Sequence, residues 1–442
     1  MNTTIEARAE RGSPATERAS FPWVIFWVAL AVRLAAMTIP HYYRFSPVED
    51  HFKFGWEMGR VARSLAAGHG YSSPFLHSTG PTAWVTPLYP LILAGVFRLF
   101  GVYTALSAWM ILAFNCVLNA LMAWTTWAIA IRCLNRRVAW WSAWIWTLYP
   151  AAMQYAVKWV WEMTLTAFLF QWIFLLALRM GNIGGDPAEA PRAANTRRWA
   201  LFGLLWGLAT LSSASISIVL PFCGIWILVR NRDWRRQLPR VVLASAICLG
   251  CIAPWTIRNA LVFHRFIPMR SNFGAELWMG NEPNLHGMLI GAPTATADQK
   301  RLYDSLGEIA YVQSRSQLAK REILDSPATF SGMTLLRFYY FWADVPHSSQ
   351  GGQWWTEYVR SLNFQITSVI GVLGLLLALR RRIPGAALMG WAFLSVPLPY
   401  YFVIVEARFR HPLEPLIVIL GVYLFQSAEK SWSVRWFRRA AA

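Results

Sequence analysis

The sequence predicts an all-α membrane protein that crosses the bilayer about ten times, with amphipathic juxtamembrane helices in two external loops. Three observations predict this fold class. Of the 442 residues, 56% are hydrophobic and only 14% are charged, whereas a soluble chain carries roughly 25% charged residues. Apolar runs of about 18 residues or more recur along the chain, long enough to cross a hydrocarbon core about 30 Å thick. Basic residues cluster between these runs, which is typical of cytoplasmic loops.

The apolar runs define the predicted spans. The first run is too long for the core of a signal peptide and has no clear cleavage site, so we interpret it as a retained span. The region 200–229 is either one long tilted helix or two spans, and we count two because Ser212, Ser213 and Ser215 mark an outward turn. The approximate limits of the ten runs are 21–39, 105–131, 139–157, 162–179, 200–212, 215–229, 241–257, 362–379, 385–404 and 412–427.

One further apolar stretch, 84–100, decides which loops are external. If it crossed the bilayer, every later basic cluster, including the arginines at 380–382, would lie outside. Pro87 and Pro90 suit an interrupted interfacial helix better than a regular span. We therefore predict that this stretch lies on the outer face of the cytoplasmic membrane and that both termini are cytoplasmic.

This topology leaves two sizeable external segments in a single integral domain, 1–442. The first external loop is 41–104 and the second is 259–361. The second loop contains a polar helical stretch, about 298–325, that looks soluble rather than membrane-embedded. We expect an active site on the periplasmic side, because the acids concentrate in these two loops and at the outer ends of the spans.

The net charge of +19 does not indicate a nucleic-acid-binding protein. Such proteins gather basic residues on one soluble domain or stripe. Here the basic residues form short clusters between apolar runs, at 132–137, 230–236, 380–382 and 430–439. These clusters indicate cytoplasmic loops. Membrane lipids are expected partners of the chain, and nucleic acid is not.

The candidate catalytic residues are acids of the first external loop. Glu49, Asp50 and Glu57 follow the first span. Asp50 and Glu57 are seven residues apart, so a helix that starts near Asp50 would place both on one face. A carboxylate at the membrane boundary can accept a proton from a hydroxyl nucleophile. On position alone, a solvated loop acid or a helix N-cap is the commoner role for such residues.

The candidate substrate-binding residues lie at the outer ends of later spans. Glu162 opens the fourth span, where an acid also complements the helix dipole. Arg408 and Arg410 occupy a short external turn, against the usual charge bias of outside loops. A pair of arginines can hold a phosphate through bidentate hydrogen bonds, whereas pairing with Glu406 or with lipid headgroups is the alternative. Arg258 is similarly placed at the outer end of a span.

The sequence assigns no metal site. The external histidines show neither an HExxH motif nor a paired-ligand spacing. A divalent metal is compatible with the external acids but has no support in the spacing. Trp159 and Trp161 lie at an outer boundary and could stack on a sugar, although an interfacial belt explains most of the 26 tryptophans.

Several short motifs occur in an order that resembles one superfamily. Their order and predicted side of the membrane resemble the GT-C glycosyltransferases, in particular bacterial relatives of the dolichyl-phosphate-mannose protein mannosyltransferases and the lipid A aminoarabinose transferases. The resemblance runs from the first span to the last. The motifs are ARSLAAGHGY at 62–71, GPTAWVTPLYP at 80–90, PWTIRN at 254–259, LWMGN at 277–281 and RFRHP at 408–412.

The resemblance implies an enzyme that takes a sugar from a polyprenyl-phosphate carrier on the outer face and passes it to an acceptor hydroxyl of a glycan, lipid or protein. It implies inversion at the anomeric carbon, with a first-loop acid as general base and basic side chains that stabilise the leaving phosphate. The family acid usually lies nearer the helix at 62–66 than Asp50 does. We rank Asp50 first because it precedes that helix, and Glu49 and Glu57 stay open as alternatives.

Two other classes of protein would use parts of the same pattern. A polyprenyl-linked lipid flippase or transporter would use the basic outer residues, but it would need charged or polar groups along a transmembrane path. The predicted spans contain almost no acids, which favours the transferase. A non-catalytic scaffold would need none of the external acids.

Overall fold

The computed structural model describes residues 20–46, 52–185, 193–231, 234–281, 296–345 and 354–440. Across these ranges the chain forms sixteen α-helices joined by loops and 3-10 turns. The helices are α1 (Val24–Thr38), α2 (Glu57–Ala66), α3 (Leu88–Phe100), α4 (Ala105–Cys133), α5 (Arg136–Leu148), α6 (Pro150–Val157), α7 (Met163–Met180), α8 (Thr196–Ser212), α9 (Leu220–Asn231), α10 (Trp234–Phe263), α11 (Phe273–Asn281), α12 (Ala297–Asp325), α13 (Pro327–Ala343), α14 (Trp354–Arg380), α15 (Ala386–Ser395) and α16 (Glu414–Ala440).

The helices confirm the predicted all-α class, but they do not establish ten membrane spans. Within the described ranges, five helical segments are long and apolar enough to cross a membrane, and α1 and α3 are shorter apolar helices. The five segments are Ala105–Cys133, Met163–Met180, Ala214–Asn231, Trp234–Phe263 and Tyr358–Arg380.

The predicted span 139–157 is divided into α5 and α6 by Pro150. Proline lacks an N–H, so it cannot donate to the carbonyl oxygen of Trp146, four residues earlier. The buried side chain of Arg33 on α1 donates to that oxygen at 3.0 Å and to the carbonyl oxygen of Thr147 at 3.0 Å. An arginine of the first apolar helix therefore satisfies backbone oxygens at the break.

The predicted span 385–404 is not one continuous helix. It consists of α15, which ends at Ser395, and a separate 3-10 turn, Leu398–Tyr401. Pro397 and Pro399 interrupt the helix because each removes a backbone donor. A helix of ten residues, as in α15, rises about 15 Å, which is roughly half the hydrocarbon thickness.

The region 200–229 forms two helices, as we counted. After α8, Ser213 is extended, with φ −150° and ψ 115°. A 3-10 turn, Ala214–Val219, then leads into α9. The two-helix interpretation is confirmed because Ser213 leaves the helical conformation at the predicted turn.

The stretch that decides the topology contains α3. Its 13 residues rise about 20 Å, less than a hydrocarbon core of about 30 Å. The helix begins after Pro87 and stops at Gly101, where φ is 89°. This length suits an interfacial helix, and the side of the membrane on which each loop lies stays a prediction.

The first external loop does not form the helix that we expected to start near Asp50. Gly55 and Trp56 have positive φ angles of 101° and 47°, which an α-helix does not accommodate. The helix therefore begins at Glu57. Glu49 and Asp50 lie outside the described residues, and the argument that Asp50 and Glu57 share one helical face does not hold.

The two external loops are joined through a buried acid, Glu308. It lies on α12, the helix predicted at about 298–325, directly after a kink at Gly307 with φ 72°. Its carboxylate accepts hydrogen bonds from the hydroxyl of Thr82, the backbone N–H of Ala83 at 2.8 Å and the hydroxyl of Ser271 at 2.6 Å. Burial raises the pKa of Glu308, while these hydrogen bonds lower it. The contacts fix the first loop against the second.

Candidate active site

Four charged side chains from distant parts of the sequence meet at one end of the helix bundle. Glu57 begins α2, Glu162 precedes α7, Arg270 follows α10, and Arg408 lies in the 3-10 turn Ala407–Leu413. The charges of both arginines lower the pKa of each carboxyl, and the charge of Glu57 raises the pKa of Glu162. The structure thus brings together three residues that we selected separately from the sequence, and adds Arg270.

A close packing of two loops places the two acids in this cluster. Trp56, before α2, stacks on Trp159 with a centroid distance of 5.7 Å and meets Trp161 edge-on at 4.6 Å. Gly55 permits this approach for two reasons. A Cβ at this position would lie 2.9 Å from the carbonyl oxygen of Val160, and the backbone φ of 101° is one that residues with a side chain rarely adopt. The segments that precede α2 and α7 are therefore held side by side.

Glu162 is buried, and its Oε2 has no hydrogen-bond partner. Although it stands immediately before α7, its side chain does not cap that helix. Burial raises the pKa of Glu162 to about 7, while the charge of Arg408 lowers it. A carboxyl whose pKa lies near neutral pH and that keeps one oxygen without a hydrogen bond can exchange a proton during a reaction.

Glu57 is half-buried at the first position of α2. Burial raises the pKa of this carboxyl, while Arg60, Arg408 and Arg270 lower it. Two neighbouring carboxyls do not readily ionise together, because each charge disfavours the other. The charge of Glu57 therefore favours the protonated form of Glu162.

Arg408 retains donors that the protein does not use. Its guanidinium lies 4.3 Å from the centroid of the Trp161 ring, and its Nη1 is 3.5 Å from Glu406 Oε2. Its Nε is buried without a hydrogen-bond partner. Arg408 also lines a narrow cleft with Tyr155, Trp159 and Trp161. An anionic oxygen that entered this cleft would find a guanidinium able to bind it.

Arg410 is fully buried and its guanidinium is occupied. Its Nε donates to Glu414 Oε1 at 2.7 Å, its Nη1 to the carbonyl oxygen of Phe364 at 3.0 Å, and its Nη2 to Thr367 Oγ1 at 3.0 Å. The turn is a 3-10 helix, so side chains two residues apart point in different directions. The structure therefore does not bring Arg408 and Arg410 together as a phosphate-binding pair.

Arg258 has its own partners outside the acidic cluster. Its Nη1 donates to the carbonyl oxygen of Thr82 at 2.7 Å, and its Nη2 donates to that of Tyr71 at 2.8 Å. Its guanidinium also lies 5.2 Å from the centroid of the Trp255 ring. These contacts hold the first external loop against α10.

Arg270 and Tyr400 are members of the site that sequence reasoning missed. Arg270 Nη2 donates to Glu276 Oε1 at 2.8 Å, and its Nε donates to the carbonyl oxygen of Trp84 at 3.1 Å. The Tyr400 hydroxyl lies 2.5 Å from Ser215 Oγ, in the neighbourhood of Arg270. No motif pointed to either residue, because both reach the site through the packing of remote segments.

In the described part of the chain, no group of three or more His, Cys, Asp or Glu side chains is placed to hold a metal ion. The four charged groups of the site comprise two carboxyls and two guanidiniums. This composition provides for proton transfer and for binding an anion by hydrogen bonds.

Known proteins share both sequence and fold with this chain. The sequence profile of the dolichyl-phosphate-mannose-protein mannosyltransferase family matches residues 84–257. The structure is similar to the oligosaccharyltransferase AglB from Archaeoglobus fulgidus in complex with an inhibitory peptide and a dolichol-phosphate, with a TM-score of 0.54 and 12% identity over 95% of this chain and 51% of AglB. The apo form of AglB gives a TM-score of 0.53 and 12% identity over 95% of this chain and 52% of AglB.

ArnT from Cupriavidus metallidurans bound to undecaprenyl phosphate is 15% identical over 92% of this chain and 78% of ArnT, with a TM-score of only 0.39. None of the curated protein sequences matches the chain. The chain spans about half the length of the archaeal oligosaccharyltransferases that it matches.

Part of the chain is thus similar to the dolichyl-phosphate-mannose-protein mannosyltransferase family, and nearly the whole chain is similar in fold to AglB. The profile covers α3 to α9 and most of α10. The five described helical segments that are long and apolar enough to cross a membrane support the multi-pass integral membrane protein that the apolar runs predicted.

Proposed function

We propose that the chain transfers a sugar, with inversion, from a polyprenyl-phosphate carrier to an acceptor hydroxyl on the periplasmic face of the cytoplasmic membrane. The observation that carries this proposal is the meeting of Glu57 and Glu162 with Arg270 and Arg408. Transfer to a hydroxyl releases a proton and the carrier phosphate. The carboxyls of this site can accept the proton, and its guanidiniums can donate hydrogen bonds to the phosphate. The family profile supports the reaction class, and the AglB complex with an inhibitory peptide and a dolichol-phosphate supports a polyprenyl carrier.

The proton of the attacking hydroxyl passes to a carboxylate of the first external loop. Glu57 is the loop acid that the geometry favours, because Glu162 beside it can hold a proton and leave Glu57 ionised. Asp50, which ranks first from the sequence, and Glu49 lie outside the described residues and are tested beside it. As the oxygen attacks the anomeric carbon, the bond to the carrier phosphate breaks and that phosphate leaves as an anion.

The departing phosphate is held by Arg408, and Arg270 adds a second positive charge. Arg408 lies over the Trp161 ring and keeps an unpaired Nε, so its guanidinium has a donor for a phosphate oxygen. The sugar lies against the aromatic faces of Trp159 and Trp161, because sugar C–H groups pack well on flat apolar rings. Arg410 and Arg258 support the site from outside by holding its backbone.

A reconstituted transfer assay tests the proposal directly. Purified protein in nanodiscs is given a panel of polyprenyl-phosphate sugars and candidate acceptors, and Glu57→Gln, Asp50→Asn and Glu49→Gln are compared with wild type. Loss of the base is expected to lower turnover by about 10²- to 10⁴-fold, with little change in donor binding. Wild-type turnover in all three variants would refute a base in this loop. Movement of the lipid across vesicles without any transfer would establish the flippase instead.

A further inference from the structure

A second cavity lies at the opposite end of the bundle from the candidate active site. Helix α7 begins beside Glu162 and continues for 18 residues, which corresponds to about 27 Å. Beyond its last turn, a cavity of about 330 Å³ opens between the ends of α7, α9 and α14 and the start of α15. Trp226, Leu379 and Ile383 provide its apolar wall.

Close packing of these helix ends shapes the cavity. A Cβ at Gly181 would lie 2.5 Å from the Trp226 ring, so only glycine lets α7 meet that wall of the cavity. Gly385, at the start of α15, has φ 85° and would place a Cβ 2.8 Å from a cysteine sulfur. Asn231 Nδ2 donates to the carbonyl oxygen of Met180 at 3.1 Å and joins α9 to α7. The cavity is therefore bounded on several sides by fixed contacts.

Positive charge surrounds this cavity. Arg230, in the last turn of α9, and Arg382, directly after α14, line it, and no described carboxylate does. Neither arginine forms an ion pair within the described ranges. At the same end of the bundle, Arg132, Arg179 and Arg198 lie close enough for their charges to repel one another. Among the described residues this positive charge is unopposed, and positive charge beside an apolar wall favours a ligand that is both anionic and apolar.

We propose that this cavity binds the phosphate group of an anionic phospholipid. Arg230 and Arg382 donate hydrogen bonds to the phosphate oxygens, which suit the planar guanidinium fork. The acyl chains follow the apolar wall onto α9, where Ile225 and Val229 are exposed. A free phosphate would use the arginines but not this wall, so the lipid accounts for more of the cavity.

Lipid binding to the purified full-length protein tests this assignment. Native mass spectrometry measures phosphatidylglycerol binding to wild type, to the double variant Arg230→Gln/Arg382→Gln and to Arg380→Gln. The double variant is expected to bind about 10- to 150-fold more weakly for each arginine whose charge-assisted hydrogen bonds are lost. Arg380 is the matched control, because it is an exposed neighbour of Arg382 that does not line the cavity, and its replacement should leave binding unchanged.

A second variant distinguishes lipid binding inside this cavity from general attraction of lipids to the basic surface. Ala387→Phe keeps both arginines but fills the cavity that Ala387 lines, and it should also weaken phosphatidylglycerol binding by at least tenfold. Unchanged binding in the double variant, unchanged binding in Ala387→Phe, or equal binding of zwitterionic phosphatidylcholine by wild type would each overturn the proposal. Binding of inorganic phosphate without phosphatidylglycerol would identify a free-phosphate site and overturn the lipid assignment. Elution and melting temperature check that each variant is folded.

Discussion

Two arginines separated by one residue have opposite environments in this protein. Arg408 lies on Trp161 with unused donors, whereas Arg410 is buried against Glu414 and backbone oxygens. Arg410 stabilises the fold, since removal of one partner leaves the other charge buried and unpaired. Arg408 pairs with Glu406 at 3.5 Å and keeps its Nε for a substrate anion.

Replacement of these arginines should therefore have different effects. Arg408→Lys keeps the charge but loses the planar fork, so we expect lower turnover. Arg408→Ala should weaken donor binding about 10- to 150-fold without unfolding the protein. Arg410→Ala should instead destabilise the fold by about 3–5 kcal/mol. Donor affinity, turnover and melting temperature, measured in one detergent–lipid mixture, distinguish these outcomes. Wild-type kinetics in both Arg408 variants would indicate that Arg270, and not Arg408, binds the phosphate.

The pH dependence of turnover should depend on Glu162. The charge of Glu57 raises the pKa of Glu162, so Glu162→Gln should remove the titration near pH 7 that Glu162 contributes to kcat/KM and leave the acid limb that Glu57 sets. Arg408→Gln removes a positive charge that lowers the pKa of both carboxyls, and the same limb should move to higher pH. Identical pH profiles of kcat/KM in wild type and both variants would show that neither carboxyl controls the pH dependence of turnover.

Stability should respond to the same carboxyl. The folded-state pKa of Glu162 is raised from 4.5 to about 7, so the folded protein binds its proton more tightly than the unfolded chain does. Its contribution to stability is therefore full below about pH 4.5 and is lost as pH rises through about 7. Relative to wild type, Glu162→Gln should become more stable between these pH values, as measured by chemical unfolding. A difference that does not change with pH would contradict the raised pKa.

At the level of helices, the break between α5 and α6 depends on a residue of α1. Arg33 supplies donors to the carbonyl oxygens of Trp146 and Thr147, beside Pro150. A buried carbonyl left without a donor costs about 1–3 kcal/mol. A positive residue inside an apolar helix thus has a structural role here and is no indication of a transport path.

Loss of Arg33 should consequently destabilise the protein, and loss of Pro150 should reduce the damage. We expect Arg33→Leu to cost about 2–6 kcal/mol, because two carbonyl oxygens lose their donors. Pro150→Ala restores a backbone N–H near Trp146. The loss of unfolding free energy in the double variant should therefore be smaller than the sum of the losses in the two single variants. Thermal unfolding of the four proteins measures this coupling. Arg44→Leu, at an exposed position, is the control, and strict additivity would contradict the assigned role.

For the whole molecule, the sidedness of the loops can be tested by labelling. In a chain whose five buried or half-buried cysteines are replaced, Lys300→Cys lies exposed on α12 and Arg380→Cys lies exposed at the end of α14. We expect a membrane-impermeant thiol reagent to label position 300 in intact cells and to label position 380 only after permeabilisation. Labelling of position 380 in intact cells would reverse the predicted topology. It would also place the candidate lipid cavity on the outer face.

The sequence by itself determined the membrane class, the two external loops as candidates for the chemistry, and the family resemblance. These conclusions rest on local properties, since hydropathy and charge bias can be read within a single window. The sequence also singled out Glu57, Glu162 and Arg408, because a charge at the outer end of an apolar run is conspicuous. The break at 212–215 was visible because three serines interrupt the apolar run.

Only the tertiary structure decided which of these groups meet. The cluster unites Glu57 with Glu162 because Gly55 lets the loop before α2 approach Val160, and it includes Arg270 because α11 and α12 pack against the first loop. The same packing paired Arg410 with Glu414. Prolines also broke helices whose hydropathy had predicted full membrane spans. Contacts between residues far apart in sequence arise from helix packing and from the need to satisfy buried polar groups. Neither leaves a periodic pattern along the chain.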